Sequence, residues 1–249
     1  MTRPAIPCAR IIRRASVHAV LGFTCCVTAF PFLWMAVSSL KTKEEVLDTA
    51  SFLPSVPQFG NYRSILADSP IPGYLANSFF VSLAAAAIQL VCCALFTYAV
   101  TFMKIRGRDM LFRLVLFTYM VPTAVTYIPC YIILSRMGLL DSYQGLILSN
   151  GVSVFGIFLL HQAFEAVPKE TMEAARMDGA GHLSILTRII VPMTRPSFMT
   201  FILLSFINTY NSYMWPSLIT DSPNLSLISQ GLRRFLYEGG AYGTQWSLV

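Results

Sequence analysis

The residues of this chain that could do chemistry are few. Its three histidines, His18, His161 and His182, are scattered and match no metal-ligand spacing. His161 beside Gln162 reads as a capping or interfacial pair. The six cysteines are Cys8, Cys25, Cys26, Cys92, Cys93 and Cys130, and five of them sit inside apolar runs. They read as small apolar packing residues rather than as metal ligands or a disulfide framework. No GxxxxGK[ST] phosphate loop occurs, so ATP hydrolysis does not reside on this chain. No metal or organic cofactor is expected.

Two segments carry more specific signals. The first is VPKETMEAARMDGAGHLSILTRIIVPMTRPS, residues 167–197. Pro168 suits a first helical turn, and Glu170 and Glu173 suit a helix N-terminal region. A short helix through Ala174 and Ala175 should stop near Gly179. A second, from His182 to about Ile190, should place Leu183, Leu186 and Ile190 on one face and end at Pro192. Two short helices joined by a tight glycine turn make a compact docking knob. The small Ala174 and Ala175 permit close approach, and Glu173, Arg176, Asp178 and Arg188 offer charges to a partner. The mixed signs argue against a helix lying on an anionic membrane surface. The second segment is SFMTFILLSFINTYNSYMWPSLI. Asn208 and Asn211 are three apart and share a helical face, with Tyr210 between them. Asparagines at membrane depth need another helix, a polar ligand or water as partner. Tyr213 and Trp215 suit anchoring at an interface.

The elements that position these residues follow from composition. Of 249 residues, 55% are hydrophobic and 12% charged, and the mean hydropathy is +0.60. Soluble domains carry about 45–50% apolar and about 25% charged residues, so this chain lacks the polar skin of a soluble enzyme. Five stretches have no Asp, Glu, Lys or Arg: residues 16–40, 74–103, 114–135, 142–164 and 196–220. Each reaches the roughly 17–25 residues of a spanning helix, and none alternates as a barrel strand does. The first exceeds the h-region of a signal peptide and is read as a retained span. Pro122 and Pro129 should kink or unwind the third. The absence of an intramembrane carboxylate or lysine weighs against proton- or sodium-coupled transport.

Basic residues set the orientation. With the N-terminus in the cytoplasm, the inside segments hold Arg3, Arg10, Arg13, Arg14, Lys104, Arg106, Arg108, Arg113, Lys169, Arg176, Arg188 and Arg195, twelve of the eighteen. The outside loops hold Lys41, Lys43, Arg63, Arg136, Arg233 and Arg234. This bias favours an N-terminus inside. It also accounts for the net charge of +6 and the pI near 9.1 without a nucleic-acid partner. Membrane lipid is the expected surrounding.

The knob also carries a resemblance. Glu173-Ala174-Ala175, three residues, Gly179, nine residues, Ile189, one residue and Val191-Pro192 looks like the EAA loop of ATP-binding-cassette importer permeases. In that pattern only Val191 departs, where the family has leucine. FPFLWMAVSSLKTKEEV, NYRSIL, YLANSFFVSL, NTYNSYMWPSLI and GTQW resemble the carbohydrate-importer branch, of the maltose and glycerol-3-phosphate permease type. The likeness covers roughly residues 20–249.

The resemblance implies an all-α integral membrane protein, the transmembrane domain of a type I importer in a bacterial inner membrane, preceded by a cytoplasmic tail over residues 1–15. It implies ABC ATPase subunits, a second permease subunit and an extracytoplasmic solute-binding protein as partners. The coupling loop is residues 167–197; Glu173 would be the polar contact to the ATPase and Gly179 the turn, with Ala174, Ala175, Ile189 and Pro192 completing the motif. Asn208, Tyr210 and Asn211 are candidates for the translocation path of a sugar or related solute. Two departures stand out. Tyr210-Asn211-Ser212-Tyr213 lacks the family's acidic residue, and the chain stops at Val249 where the family begins its sixth span. The alternatives are a truncated remnant that docks on an ATPase without transporting, or a membrane-embedded enzyme.

Overall fold

The computed structural model describes residues 8–48 and 51–238, and all regular structure among them is helical. Residues 1–7 and the GTQW stretch lie outside the described residues, as does the side chain of Cys8. The chain divides into two compact units, one containing residues 1–69 and 234–249, the other residues 70–233.

In the first unit, α1 (Cys8–Ser38) runs for 31 residues, so helix extends back into the basic tail. Its window Arg13–Ser38 is long and apolar enough to cross a membrane. Val20, Phe23, Val27, Phe32 and Leu33 are all exposed on it. A helix apolar on every side suits lipid rather than water. After it comes a small lobe with α2 (Lys43–Leu47) and α3 (Gly60–Asp68). A capping box starts α2: the Thr42 hydroxyl accepts from the Glu45 N–H, and Glu45 accepts from the Thr42 N–H. The Glu45 carboxylate also accepts the Ser55 N–H at 3.0 Å. The Ser55 hydroxyl first, then the backbone N–H groups of Thr42 and Ser55, lower its pKa to about 2. Lys41 is fully buried, with Nζ donating to the Ser51 carbonyl at 2.6 Å and lying 4.8 Å from the Trp34 ring centre.

The second unit is organised on α4 (Ile71–Phe102), a single helix of 32 residues that also meets the length and hydropathy of a span. Its buried positions recur with helical period: Ser78, Val81, Ala85, Gln89, Cys93 and Thr97. Small residues there let neighbours approach closely, which matters in lipid, where packing rather than water exclusion holds helices together. Against this face lie α8 (Val154–Glu165) and α12 (Arg195–Tyr210). The core formed there contains Cys93, Tyr98, Leu160, Phe164, Phe198 and Phe201. Cys93 thus packs as expected, whereas Cys25, Cys26 and Cys92 are exposed and Cys130 is half-buried.

Three of the five apolar stretches are not continuous helices. The third is α5 (Arg108–Thr118) and α6 (Thr123–Arg136), bent by 101°. Pro122 makes the break: it lacks an N–H, and proline disfavours helical backbone in the residue before it. Pro129, expected to act similarly, is accommodated inside α6. The fourth stretch is α7 (Tyr143–Leu148) and α8, separated by Ser149–Ser153. Here two serine N-caps restart the helix: Ser142 accepts the Gly145 N–H, and Ser153 the Gly156 N–H. The fifth stretch ends its first helix at Tyr210 and resumes as α13 (Met214–Ile219), with Pro216 in its first turn.

Candidate functional site: the coupling segment and a polar cleft

The first arm of the knob is α9 (Lys169–Met177), and Pro168 caps its start. Gly179 closes it with φ of +79°, a left-handed conformation that glycine adopts without strain. The Ala180 N–H reaches back to the Ala175 carbonyl at 3.0 Å and completes the turn. The second arm begins as α10 (His182–Ile185), widens into a π-helical turn over Leu186–Ile190, and ends as α11 (Val191–Met193). The helix therefore passes through Pro192 rather than stopping there. The π turn directly before Pro192 absorbs a residue that cannot donate to the helical ladder. At Thr194 the chain turns into α12, bent by 87°.

One face of the knob is buried. Met172, Ala175, Ile185, Leu186 and Ile190 join the core of α4, α8 and α12. Leu183, expected on that face, is 67% exposed; Ile185, two residues further on, takes its place. The other face is open. Glu173, Ala174, Gly179 and Pro192 are exposed, and Ile189 is half-buried. Of the motif residues, then, Ala175 is buried and Ile189 packs against the same core from its edge. Beside Glu173 opens a cleft of about 460 Å³ lined by Lys104, Arg108, Glu165, Lys169 and Arg176.

Two polar contacts tie the knob to α4. The Tyr98 hydroxyl lies 3.0 Å from His182 Nδ1, and Arg176 donates to the Phe102 carbonyl at 3.0 Å. His161 instead stacks on Phe112, with ring centres 3.9 Å apart, and sits 3.9 Å from Glu165. Among the described residues, no three His, Cys, Asp or Glu side chains are grouped to hold a metal.

At the other candidate segment, Asn208 and Asn211 close α12. Asn211 is its C-cap and still donates its N–H to the Ile207 carbonyl at 3.0 Å. Both asparagines are exposed, and Tyr210 is half-buried with its ring stacked on Phe206. Trp215, expected at an interface, is buried. Its ring stacks on Tyr127 with centres 5.3 Å apart, and its Nε1 donates to the Ser149 hydroxyl at 2.8 Å. Sequence reasoning missed the cleft that these rings border. It measures about 230 Å³ and is lined by Thr123, Tyr127, Cys130, Asn150, Ser212 and Trp215, among others. The S-N-G run inside an apolar stretch and the hydroxyls after Pro122 are the signals that could have found it.

Known proteins give the chain its setting. Residues 90–246 match the family model described as binding-protein-dependent transport system inner membrane component. The sn-glycerol-3-phosphate transport system permease protein UgpE of Agrobacterium fabrum is 30% identical over 248 residues, covering 96% of this chain and 88% of that protein. The protein of the same name in Brucella abortus is 29% identical over 240 residues, covering 93% and 85%. In fold, the chain is similar to a solved bacterial ABC transporter involved in the import of the acidic polysaccharide alginate. The TM-score is 0.84 at 24% identity, over 99% of this chain and 91% of that one. With the family model covering more than half of the sequence, this chain belongs to the binding-protein-dependent transport system inner membrane components, the permease subunits of ATP-driven importers.

Proposed function

We propose that this permease forms half of the path by which an importer takes up a sugar or related solute, and that residues 167–197 couple it to an ATPase. One observation carries the reading: a buried face fixes the knob to α4, α8 and α12 while Glu173 and Ala174 stay open to a partner. A knob held this way moves as one piece with the helices it packs on. When two ATPase subunits close on ATP, each draws its knob with it, and the helices exchange inward-facing for outward-facing packing. Such a switch is driven by the different affinities of the two states for nucleotide. Glu173 supplies the polar contact to the ATPase and Gly179 the turn that presents it.

The remaining partners are a second permease subunit and an extracytoplasmic solute-binding protein, with lipid around the apolar helices. The N-terminus lies in the cytoplasm, supported by the distribution of Lys and Arg. The chain itself performs no catalysis. For the solute, both the carbohydrate-branch motifs and the glycerol-3-phosphate relatives support a polyhydroxylated molecule.

The test is uptake into cells or proteoliposomes by the assembled importer bearing Glu173→Ala or Gly179→Asp. Both should impair uptake while membrane insertion is unchanged. Normal uptake by both variants would sink the docking assignment.

A further inference from the structure

Three helix breaks border one cleft. Thr123 begins α6 just after the break at Pro122, Ser149 and Asn150 belong to the break between α7 and α8, and Ser212 belongs to the break between α12 and α13; all four line it. Irregular backbone at membrane depth is tolerated where it lines a cavity, and discontinuous helices build binding sites in transporters. We propose that this cleft is a solute-contact site that takes a neutral polyhydroxylated molecule, one ring or short polyol at a time. The proposal rests on the importer reading and names what the path recognises.

The lining sets the chemistry. Tyr127 and Trp215 form a fixed aromatic wall, because the Trp215 N–H is anchored on Ser149 and the ring is buried. The C–H face of a sugar or polyol packs on such a surface, while its hydroxyls need donors and acceptors nearby. Asn150 is held in place to supply one: its Nδ2 donates to the Leu146 carbonyl at 2.9 Å, and its backbone carbonyl accepts from Gln89 Nε2 at 2.6 Å. That leaves the carbonyl oxygen of the Asn150 side chain as an acceptor at the cleft. Thr123 and Ser212 add hydroxyls.

Charge decides between a neutral solute and a phosphate ester. Among the described residues, no Lys, Arg, His, Asp or Glu lines the cleft. A phosphate dianion would lose hydration there and gain no counter-charge, which is costly. Size agrees with a partial site. The cleft of about 230 Å³ lies below the roughly 300–1,000 Å³ of a self-sufficient ligand pocket, so it holds one ring and shares a larger solute with the second permease.

Cys130 lines the cleft and is a free thiol, so it can report occupancy. The assembled importer is treated with a small water-soluble alkylating reagent, and modification of Cys130 is followed by peptide mass spectrometry, with the denatured protein as the control for full reactivity. Glucose or glycerol should slow Cys130 alkylation severalfold in the assembled importer, leave the denatured control unaffected, and lose this effect in Asn150→Ala. sn-Glycerol-3-phosphate at the same concentration should not protect. Protection by the phosphate ester alone would overturn the neutral assignment. No protection by any probe, or no alkylation of Cys130 at all, would overturn the site. ATP hydrolysis by the same preparation tests the importer reading separately: its absence would count against that reading whatever Cys130 does.

Discussion

The Tyr98 hydroxyl and His182 Nδ1, 3.0 Å apart, join the last turns of α4 to the second arm of the knob. Arg176, on the first arm, donates to the Phe102 carbonyl one turn further along. Arg108 donates to the neighbouring Thr101 carbonyl at 3.1 Å. These carbonyls are among the orphan acceptors at a helix C-terminus, where the helix dipole also favours cations. Both arms of the knob therefore grip one helix end. At the opposite end of α4, Asn77 Nδ2 donates to the Asn224 carbonyl at 2.7 Å, and Ser78 accepts the Ile228 N–H at 2.7 Å. Asn77 and Tyr98 are about 32 Å apart along a helix rising 1.5 Å per residue. One continuous helix thus links the knob to the segment around residues 224–228.

Removing only the Tyr98 hydroxyl should loosen this grip. Tyr98→Phe keeps the ring, which packs edge-on against His182 and in the core with Phe164. The stability cost is that of one hydrogen bond, about 0.5–1.5 kcal/mol. ATP hydrolysis by the assembled importer should continue, while solute carried per ATP falls. The ratio measured in proteoliposomes decides: an unchanged ratio would mean that the contact does not transmit motion.

Gly156 makes a different kind of contact, between α8 and α12. A Cβ added there would stand 2.2 Å from the Phe201 ring, which is itself fully buried. Gly156→Ala should force the ring or the helix aside and destabilise the protein by about 1–3 kcal/mol, the usual range for overpacking. Phe201→Leu makes room, so the double variant should be more stable than Gly156→Ala alone, a non-additivity expected of residues in contact. Thermal unfolding in detergent measures both. Additive losses would show that the two positions do not share the strain.

What the sequence revealed depended on how local the signal was. The knob was legible because its helix stops are set by single residues, Gly179 above all, and its motif by fixed spacing. The apolar stretches were legible as helical, yet an uncharged run records hydropathy and not continuity. Pro122 announced the break in the third stretch, whereas the breaks at Ser149–Ser153 and at Asn211–Tyr213 carry neither proline nor charge, so the fourth and fifth stretches read as unbroken spans. Trp215 was misplaced for a related reason. An aromatic near a helix end suits an interface in general, and only the partners Tyr127 and Ser149, distant in sequence, draw it inside. Leu183 and Ile185 are equally apolar, and tertiary packing decides which of them is covered.

Asp141 is the one described residue other than glycine with a positive φ, at +50°, a conformation that aspartate tolerates better than most. Its N–H donates to the Ile219 carbonyl at 2.7 Å. Its carboxylate accepts the N–H groups of Asp221 and Ser222, each at 3.0 Å, and the Ser222 hydroxyl. The Ser222 hydroxyl first, then these backbone groups, hold the carboxyl below its ordinary pKa. A carboxylate depressed in the folded state stabilises it above the unfolded value of about 3.9, and that contribution is lost as pH falls through the depressed value. At neutral pH the clamp on residues 219–222 is therefore complete. Asp141→Asn keeps the size but replaces the charged acceptor with a neutral amide, so the amides of Asp221 and Ser222 should exchange with solvent faster in the variant at pH 7. The wild-type protein should show the same loosening only on acidification below the ordinary carboxylate range. Hydrogen exchange followed by mass spectrometry reads both, and equal exchange in variant and wild type at pH 7 would show that the clamp does not depend on the charge.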